Sequence, residues 1–79
     1  MEETFNPTKY QDRARYYLAL IDGPVTSYEM GALLKFRMGE RSYKAQRILD
    51  SLWRGGEILK KKGSIGLEVW HTTEGEKMG

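Results

Sequence analysis

The sequence predicts one α+β domain that is mainly helical, with three helices followed by a β-hairpin. Apolar residues recur at helical spacing in three segments up to residue 54, and apolar and polar residues alternate after residue 57. Gly23-Pro24 and Gly55-Gly56 separate these segments, because glycine accepts the left-handed conformation that ends a helix and proline cannot continue its hydrogen-bond ladder. Seventy-nine residues suffice for one small core and not for two, so residues 1–79 are expected to form one domain.

Helix 1 is expected at about residues 9–22. Thr8 and Gln11 resemble a capping box, which satisfies free backbone N–H groups of the first helical turn. Its inner stripe consists of Tyr10, Ala14, Tyr17, Leu18 and Ile21. Tyr16 and Leu20 lie beside this stripe and widen it beyond what one core needs, so they are the expected dimer surface.

Helix 2 is expected at about residues 27–36, after a very short strand at Val25. Thr26 and Glu29 form a second capping box at its start. Its inward residues are Met30, Leu33 and Leu34. Gly31 lies inside this helix, where glycine costs about 1 kcal/mol relative to alanine unless close packing against a neighbour requires it.

Helix 3 is expected at residues 42–54, with Ser42 as its N-cap and residues 37–41 as a connecting loop. Its apolar residues, spaced i, i+3, i+4 and i+7, are Ala45, Ile48, Leu49 and Leu52. Its opposite face carries Tyr43, Lys44, Gln46, Arg47 and Arg54. Side chains of these types contact base edges and phosphates in a major groove, so helix 3 is a candidate DNA-binding helix.

A hairpin is expected at about residues 57–72. Its two strands are indicated by the alternation of Ile58, Lys60, Leu67, Val69 and His71. Glycines in 61–66 allow a tight turn, and three consecutive lysines keep its tip in solvent. Trp53 and Trp70 are expected to pack between helix 3 and the sheet, but either Val69 or Trp70 must face outward, so Trp70 is also a candidate partner contact. Residues 73–79 are expected to fray.

The charge is unevenly distributed. Residues 1–34 carry a net charge of −2, residues 35–62 of +6 and residues 63–79 of −2. The basic third coincides with helix 3 and the lysine turn, which is typical of a small duplex binder, although a solvated basic face would have the same composition.

Composition argues against several other classes. There is no cysteine and one histidine, His71, so neither a disulfide nor a transition-metal cluster is expected. The glycines match neither a phosphate loop nor a dinucleotide fingerprint, and no nucleophile, base and acid can be assembled. We therefore expect no enzyme and no cofactor. Short apolar runs and an acidic N-terminus favour a cytoplasmic protein without a membrane segment.

Three local patterns match those of a known fold. Val25-Thr26 precedes Glu29-Met30, with Leu34 closing the pattern, and Trp70-His-Thr-Thr-Glu-Gly75 ends the hairpin. The third pattern is a spacing that begins in the third helix and is formed by Ala45, Leu49, Leu52, Gly56 and Ile58. Over roughly residues 9–75 the chain resembles the winged helix-turn-helix family. It departs in a link before helix 3 that is about four residues longer than usual, and in Gly31, where alanine is customary.

The resemblance implies that helix 3 is a recognition helix and that the hairpin is a wing. It implies a small bacterial or phage transcriptional regulator that binds double-stranded DNA in a sequence-specific manner. The expected contacts are Arg41, Ser42, Tyr43, Lys44, Gln46, Arg47, Lys60, Lys61 and Lys62. Arg47 can bind guanine through two hydrogen bonds, and the lysines suit phosphates. One such domain makes few contacts, so a homodimer or a protein partner is expected and no small-molecule ligand is evident.

The main alternative is a winged-helix protein-interaction module, such as a phage protein that captures a host complex through its basic face. A regulator would show base preference through Arg47 and Gln46. A protein binder would depend on exposed aromatic residues such as Tyr16 or Trp70. RNA binding also stays open at this point.

Overall fold

The computed structural model describes residues 5–21, 23–63 and 66–72. It confirms the predicted class, since the described chain is α+β and mainly helical. The helices are α1 (Gln11–Ile21), α2 (Ser27–Leu33) and α3 (Arg41–Arg54), and the strands are β1 (Val25–Thr26), β2 (Ile58–Lys62) and β3 (Glu68–Thr72). Short 3-10 turns at Pro7–Tyr10 and Met38–Glu40 lead into α1 and α3. This order of helices and hairpin is compatible with a winged-helix layout.

The strands form one antiparallel sheet in the order β1-β3-β2. The hairpin pairs Lys60 with Trp70, and the short strand β1 places Val25 opposite Trp70 on the other side. The predicted stub strand and hairpin are therefore confirmed. Ser64, Ile65 and the tail at 73–79, for which a turn tip and fraying were predicted, lie outside the described residues.

The core lies between the helices and the inner face of this sheet. It consists of Ala14, Leu18, Val25, Met30, Leu34, Ala45, Ile48, Leu49, Leu52, Ile58 and Trp70. The four predicted stripe residues of α3 are fully buried, so this helix is the central element of the core. Since its inner face is occupied in this way, the opposite face of α3 is left to solvent.

The start of α1 differs from the prediction. Asn6, and not Thr8, caps the chain here, because its Oδ1 accepts a hydrogen bond of 3.1 Å from the Thr8 backbone N–H. Pro7 has a fixed φ that suits the first helical position, so a 3-10 turn forms before α1 begins. Asp22, the predicted last residue of the helix, lies outside the described residues.

The C-terminus of α2 is earlier than predicted. The capping box of Thr26 and Glu29 is confirmed, but the helix ends at Leu33 because Lys35 has a φ of 66°. The Phe36 N–H then donates to the Gly31 carbonyl at 3.0 Å, in a Schellman motif. Glycine usually occupies this left-handed position. Because a lysine occupies it here, the sequence carries no signal that the helix ends at this point.

The N-terminus of α3 also differs. The helix begins at Arg41, and Glu40 occupies the N-cap position without a side-chain capping bond. Ser42 therefore lies inside the first turn, and its predicted capping role is wrong. The 3-10 turn at Met38–Glu40 already directs the chain into the helix, which removes the need for a serine cap. The predicted end at Gly55-Gly56 is confirmed, with Gly56 at a φ of 79°.

Candidate nucleic-acid interface

The solvent side of α3 presents hydrogen-bond donors. Its exposed polar residues are Ser42, Tyr43, Gln46, Arg47 and Arg54. They project outward because the residues between them, one helical turn apart, form the buried stripe. Hydroxyl, amide and guanidinium groups on one exposed helix face are suited to base edges and phosphates. We call these five residues the open face of α3.

Arg47 is one of the two arginines of this face, and Arg54 is the other. Arg47 is exposed, and the described residues include no carboxylate within ion-pair distance of its guanidinium. The guanidinium carbon lies 5.3 Å from the centroid of the Phe5 ring. Stacking on a ring occupies one flat side of the guanidinium and leaves its edge of N–H donors free.

Lys44 and Arg41 are held by the protein itself. Lys44 Nζ lies 3.1 Å from Glu40 Oε1 and 5.5 Å from the Phe36 ring centroid. Arg41 donates to the Phe36 carbonyl and to the Tyr28 hydroxyl, each at 3.0 Å, and its guanidinium lies over the Tyr28 ring. Both cations therefore fix the link between α2 and α3, so they contribute positive charge to the region with fewer free donors than predicted.

Lys60 joins the hairpin to α3. Its Nζ lies 3.8 Å from the Trp53 ring centroid, 3.8 Å from Asp50 Oδ1 and 3.7 Å from Glu68 Oε2. The positive charge of Lys60 offsets Asp50, a carboxylate beside the open face. Lys61 and Lys62 follow on the same strand with exposed side chains. Lys60 therefore positions the hairpin, whereas Lys61 and Lys62 face solvent.

The two tryptophans correct the sequence prediction. Trp70 is 1% exposed, so it is not a partner contact; it lies on the central strand β3 with its side chain packed in the core. Trp53 is 39% exposed and lies under Lys60 at the surface, not between α3 and the sheet. Alternation alone could not decide which of Val69 and Trp70 faces inward, because both are apolar.

A groove of about 340 Å³ runs between α3 and the hairpin. It is lined by Thr26, Ser27, Tyr28, Ser42, Gln46, Gly66, Leu67, Glu68 and Trp70. The buried Trp70 Nε1 has no hydrogen-bond partner among the described residues. Ser42 and Gln46 therefore lie next to the hairpin, and the groove connects the open face of α3 with it. These residues are distant in the sequence, so the sequence alone could not predict that they line one groove.

A second exposed surface lies on α1, away from α3. Tyr16 and Leu20 are 62% and 65% exposed, in agreement with their predicted outward position. A mainly apolar groove of about 410 Å³ also lies between the end of α1 and α2. Its lining residues are Ile21, Tyr28, Glu29, Ala32 and Leu33. This apolar surface is defined by Tyr16, Leu20 and that groove.

An ion pair fastens α1 to the turn between α3 and β2. Arg15 donates to both oxygens of Glu57, from Nε at 2.7 Å and from a terminal nitrogen at 3.0 Å. This hydrogen bonding raises the pKa of Arg15 and lowers the pKa of Glu57 below its usual value. The pair was not predicted, because the two residues are distant in sequence.

Comparison with family models, with curated proteins and with solved structures found no match to this chain. Within the described ranges, no helix has the length and apolarity required to cross a membrane. Among the same residues, no group of three histidine, cysteine or acidic side chains could hold a metal ion. The class that the described chain defines is thus a mainly helical α+β domain with a C-terminal hairpin, a fold that does not by itself determine a function.

Proposed function

We propose that this protein binds double-stranded DNA with sequence preference, as a small transcriptional regulator of bacterial or phage type. The observation that carries the proposal is the open face of α3, where Arg47 offers free guanidinium donors beside Gln46 and Tyr43. Arg47 suits the paired acceptors of guanine, and Gln46 suits those of adenine. Such a regulator acts in the cytoplasm, which is the compartment we propose.

The hairpin supplies the second half of the proposed interface. Lys61 and Lys62 are exposed and suit phosphates, which they attract without reading sequence. Lys60 holds the strand beside α3 through Asp50 and Trp53, so the lysines stay next to the open face. The lysines and the base-contacting side chains of α3 would then bind the same duplex.

The proposal is tested by fluorescence anisotropy of a random-sequence duplex pool at several salt concentrations, followed by selection of the preferred site. We expect binding that weakens steeply with salt. Arg47→Ala should lose about 1–3 kcal/mol of discrimination between the selected and a scrambled duplex. Replacing Lys61 and Lys62 by Gln should weaken both duplexes equally and reduce the salt slope by roughly one unit per lost phosphate contact.

Arg13→Ala is the matched control for these variants, because Arg13 is an exposed arginine on α1 that lies away from the open face. It should leave both affinity and preference near those of the wild type. Absence of duplex binding even at low salt would contradict the proposal. Equal loss of preference in the arginine and lysine variants would contradict the division of roles.

We also propose that a second copy of the chain covers the apolar surface on α1. At roughly 150–200 Å² for each large side chain, the exposed parts of Tyr16, Leu20, Ile21 and Tyr28 amount to roughly 400 Å². A stable dimer buries about 800 Å² on each partner, so this patch would supply the apolar half of such an interface.

A protein-interaction module is the second candidate function. It is favoured by three large exposed side chains near the basic region: the apolar Met38 at 71% and Leu67 at 53%, and the amphipathic Tyr43 at 53%. A methionine or leucine forms no hydrogen bond with a phosphate, whereas methionine and tyrosine are enriched at protein interfaces. Binding that is insensitive to salt and to Arg47→Ala, but is lost with Met38→Ala, would favour this candidate over DNA.

A further inference from the structure

An aromatic cluster beside α3 is formed by rings from two distant parts of the chain, with Phe5 and Tyr10 near its start and Phe36 after α2. Phe5 stacks on Tyr10 with centroids 5.6 Å apart, and it meets Phe36 edge-on at 5.9 Å. Tyr10 and Phe36 contact each other at 5.1 Å. Because each ring contacts the other two, the cluster restrains the orientation of the Phe5 ring.

Two cations of α3 lie over the Phe5 ring. The Arg47 guanidinium carbon and Lys44 Nζ are each 5.3 Å from the Phe5 centroid, and the two residues are one helical turn apart. Lys44 also has Glu40 as an ion-pair partner at 3.1 Å. Arg47 has no such partner in the described part of the chain, so the ring is the group that restrains its guanidinium.

We propose that Phe5 is a positioning residue for sequence reading by Arg47. This inference rests on the proposed DNA-binding function. A free arginine loses side-chain freedom when it forms two hydrogen bonds with a base, and that loss weakens binding. Stacking on Phe5 restricts the guanidinium before binding and leaves its donor edge exposed. Phe5 therefore increases base discrimination without touching the duplex.

The test compares Phe5→Leu and Phe5→Met, which keep apolar bulk and remove the ring, with Phe5→Tyr, which keeps the ring. The first measurement is the NMR chemical shift of the Arg47 Nε–H proton in the free protein. We expect a ring-current shift in the wild type and in Phe5→Tyr, and a value near that of an unstructured peptide in the other two variants. This measurement requires no DNA.

The second measurement is the ratio of affinities for the selected and the scrambled duplex. The ratio should fall about threefold to fivefold in Phe5→Leu and Phe5→Met, as expected for loss of one exposed cation–π contact, and should be retained in Phe5→Tyr. The salt slope should not change, since no phosphate contact is removed. Far-UV circular dichroism checks that the compared variants are folded.

Two results would overturn the inference. If the wild type discriminates between duplexes and the ratio is unchanged in folded Phe5→Leu or Phe5→Met, Phe5 has no role in reading. The same conclusion follows if Phe5→Leu and Arg47→Ala reduce the ratio additively, because a residue that acts through Arg47 has no effect in its absence. A wild type without duplex preference would overturn the proposed function together with this role.

Discussion

Gly31 allows α2 and the start of α3 to approach each other at backbone distance. A Cβ at this position would lie 2.6 Å from the Arg41 Cα and would also collide with the Arg41 carbonyl oxygen. The sequence identified this glycine as unfavourable for a helix unless close packing required it, and the structure supplies that packing. Arg41 in turn binds the Phe36 carbonyl, so one small residue permits the contact that orients α3.

We expect Gly31→Ala to destabilise the protein by about 1 kcal/mol, and by no more than about 2 kcal/mol. Helix propensity favours alanine by about 1 kcal/mol, but overpacking against backbone costs about 1–3 kcal/mol, because backbone atoms cannot rotate away as a side chain can. Urea unfolding measures the difference. Gly39→Ala is the control, since a Cβ there meets nothing within 4 Å, and it should be close to neutral. A Gly31→Ala variant as stable as the wild type would contradict the packing argument.

At the scale of elements, polar side-chain contacts link α1 and the hairpin to the rest of the fold. Arg15 on α1 forms an ion pair with Glu57 in the turn before β2, and Lys60 on β2 lies within ion-pair distance of Asp50 and over the Trp53 ring on α3. Trp53 is at the surface and not in the core because it lies off the buried stripe of α3. These contacts set the position of the hairpin relative to the helices, on which the proposed interface depends.

The Arg15–Glu57 pair makes stability depend on pH in the acid range. Because the pKa of Glu57 is lowered in the folded state, its contribution is present above the unfolded pKa and is lost as pH falls through the folded value. Glu57→Gln should therefore be less stable than the wild type near neutral pH, and the difference should shrink below the usual glutamate pKa, about 4.3. Urea unfolding near neutral pH and below about pH 4.3 measures the difference in free energy of unfolding between the two proteins.

Asp12→Asn is the matched control for that comparison. Asp12 contacts the same Arg15 guanidinium, but its side chain is 96% exposed, so solvent screens the pair and the substitution should change stability less. A difference between Glu57→Gln and the wild type that stayed constant down to low pH would show that the carboxylate charge is not its cause.

At the scale of the whole molecule, the two main surfaces face different directions. The open face of α3 and the lysine hairpin form one, and the apolar surface with Tyr16 and Leu20 forms the other. α1 packs on the core side of α3 through Ala14 and Leu18, so a partner seated on its outer side would leave α3 accessible. A dimer of this kind would present two copies of the proposed DNA-binding surface.

Sedimentation equilibrium tests the proposed dimer. We expect a concentration-dependent dimer in the wild type and a monomer in Leu20→Glu, because a charge on the apolar surface would be buried without a partner. Ala19→Glu, a charge at an exposed neighbouring position outside that surface, is the control and should still dimerise. A wild type that stays monomeric at high concentration would contradict the second copy as the occupant of this surface.

The sequence by itself determined the fold class, the number and order of the elements and the buried stripe of α3, because these follow from periodicity, caps and turn residues within short stretches. It also indicated the donors of the open face. Only the tertiary structure decided the left-handed turn at Lys35, the inward direction of Trp70 and the ring of Phe5 beneath Arg47. For Trp70 and Phe5 the physical reason is that their positions depend on atoms brought together from distant segments, which no local pattern contains. At Lys35 the reason is that a lysine occupies a left-handed position that glycine usually marks.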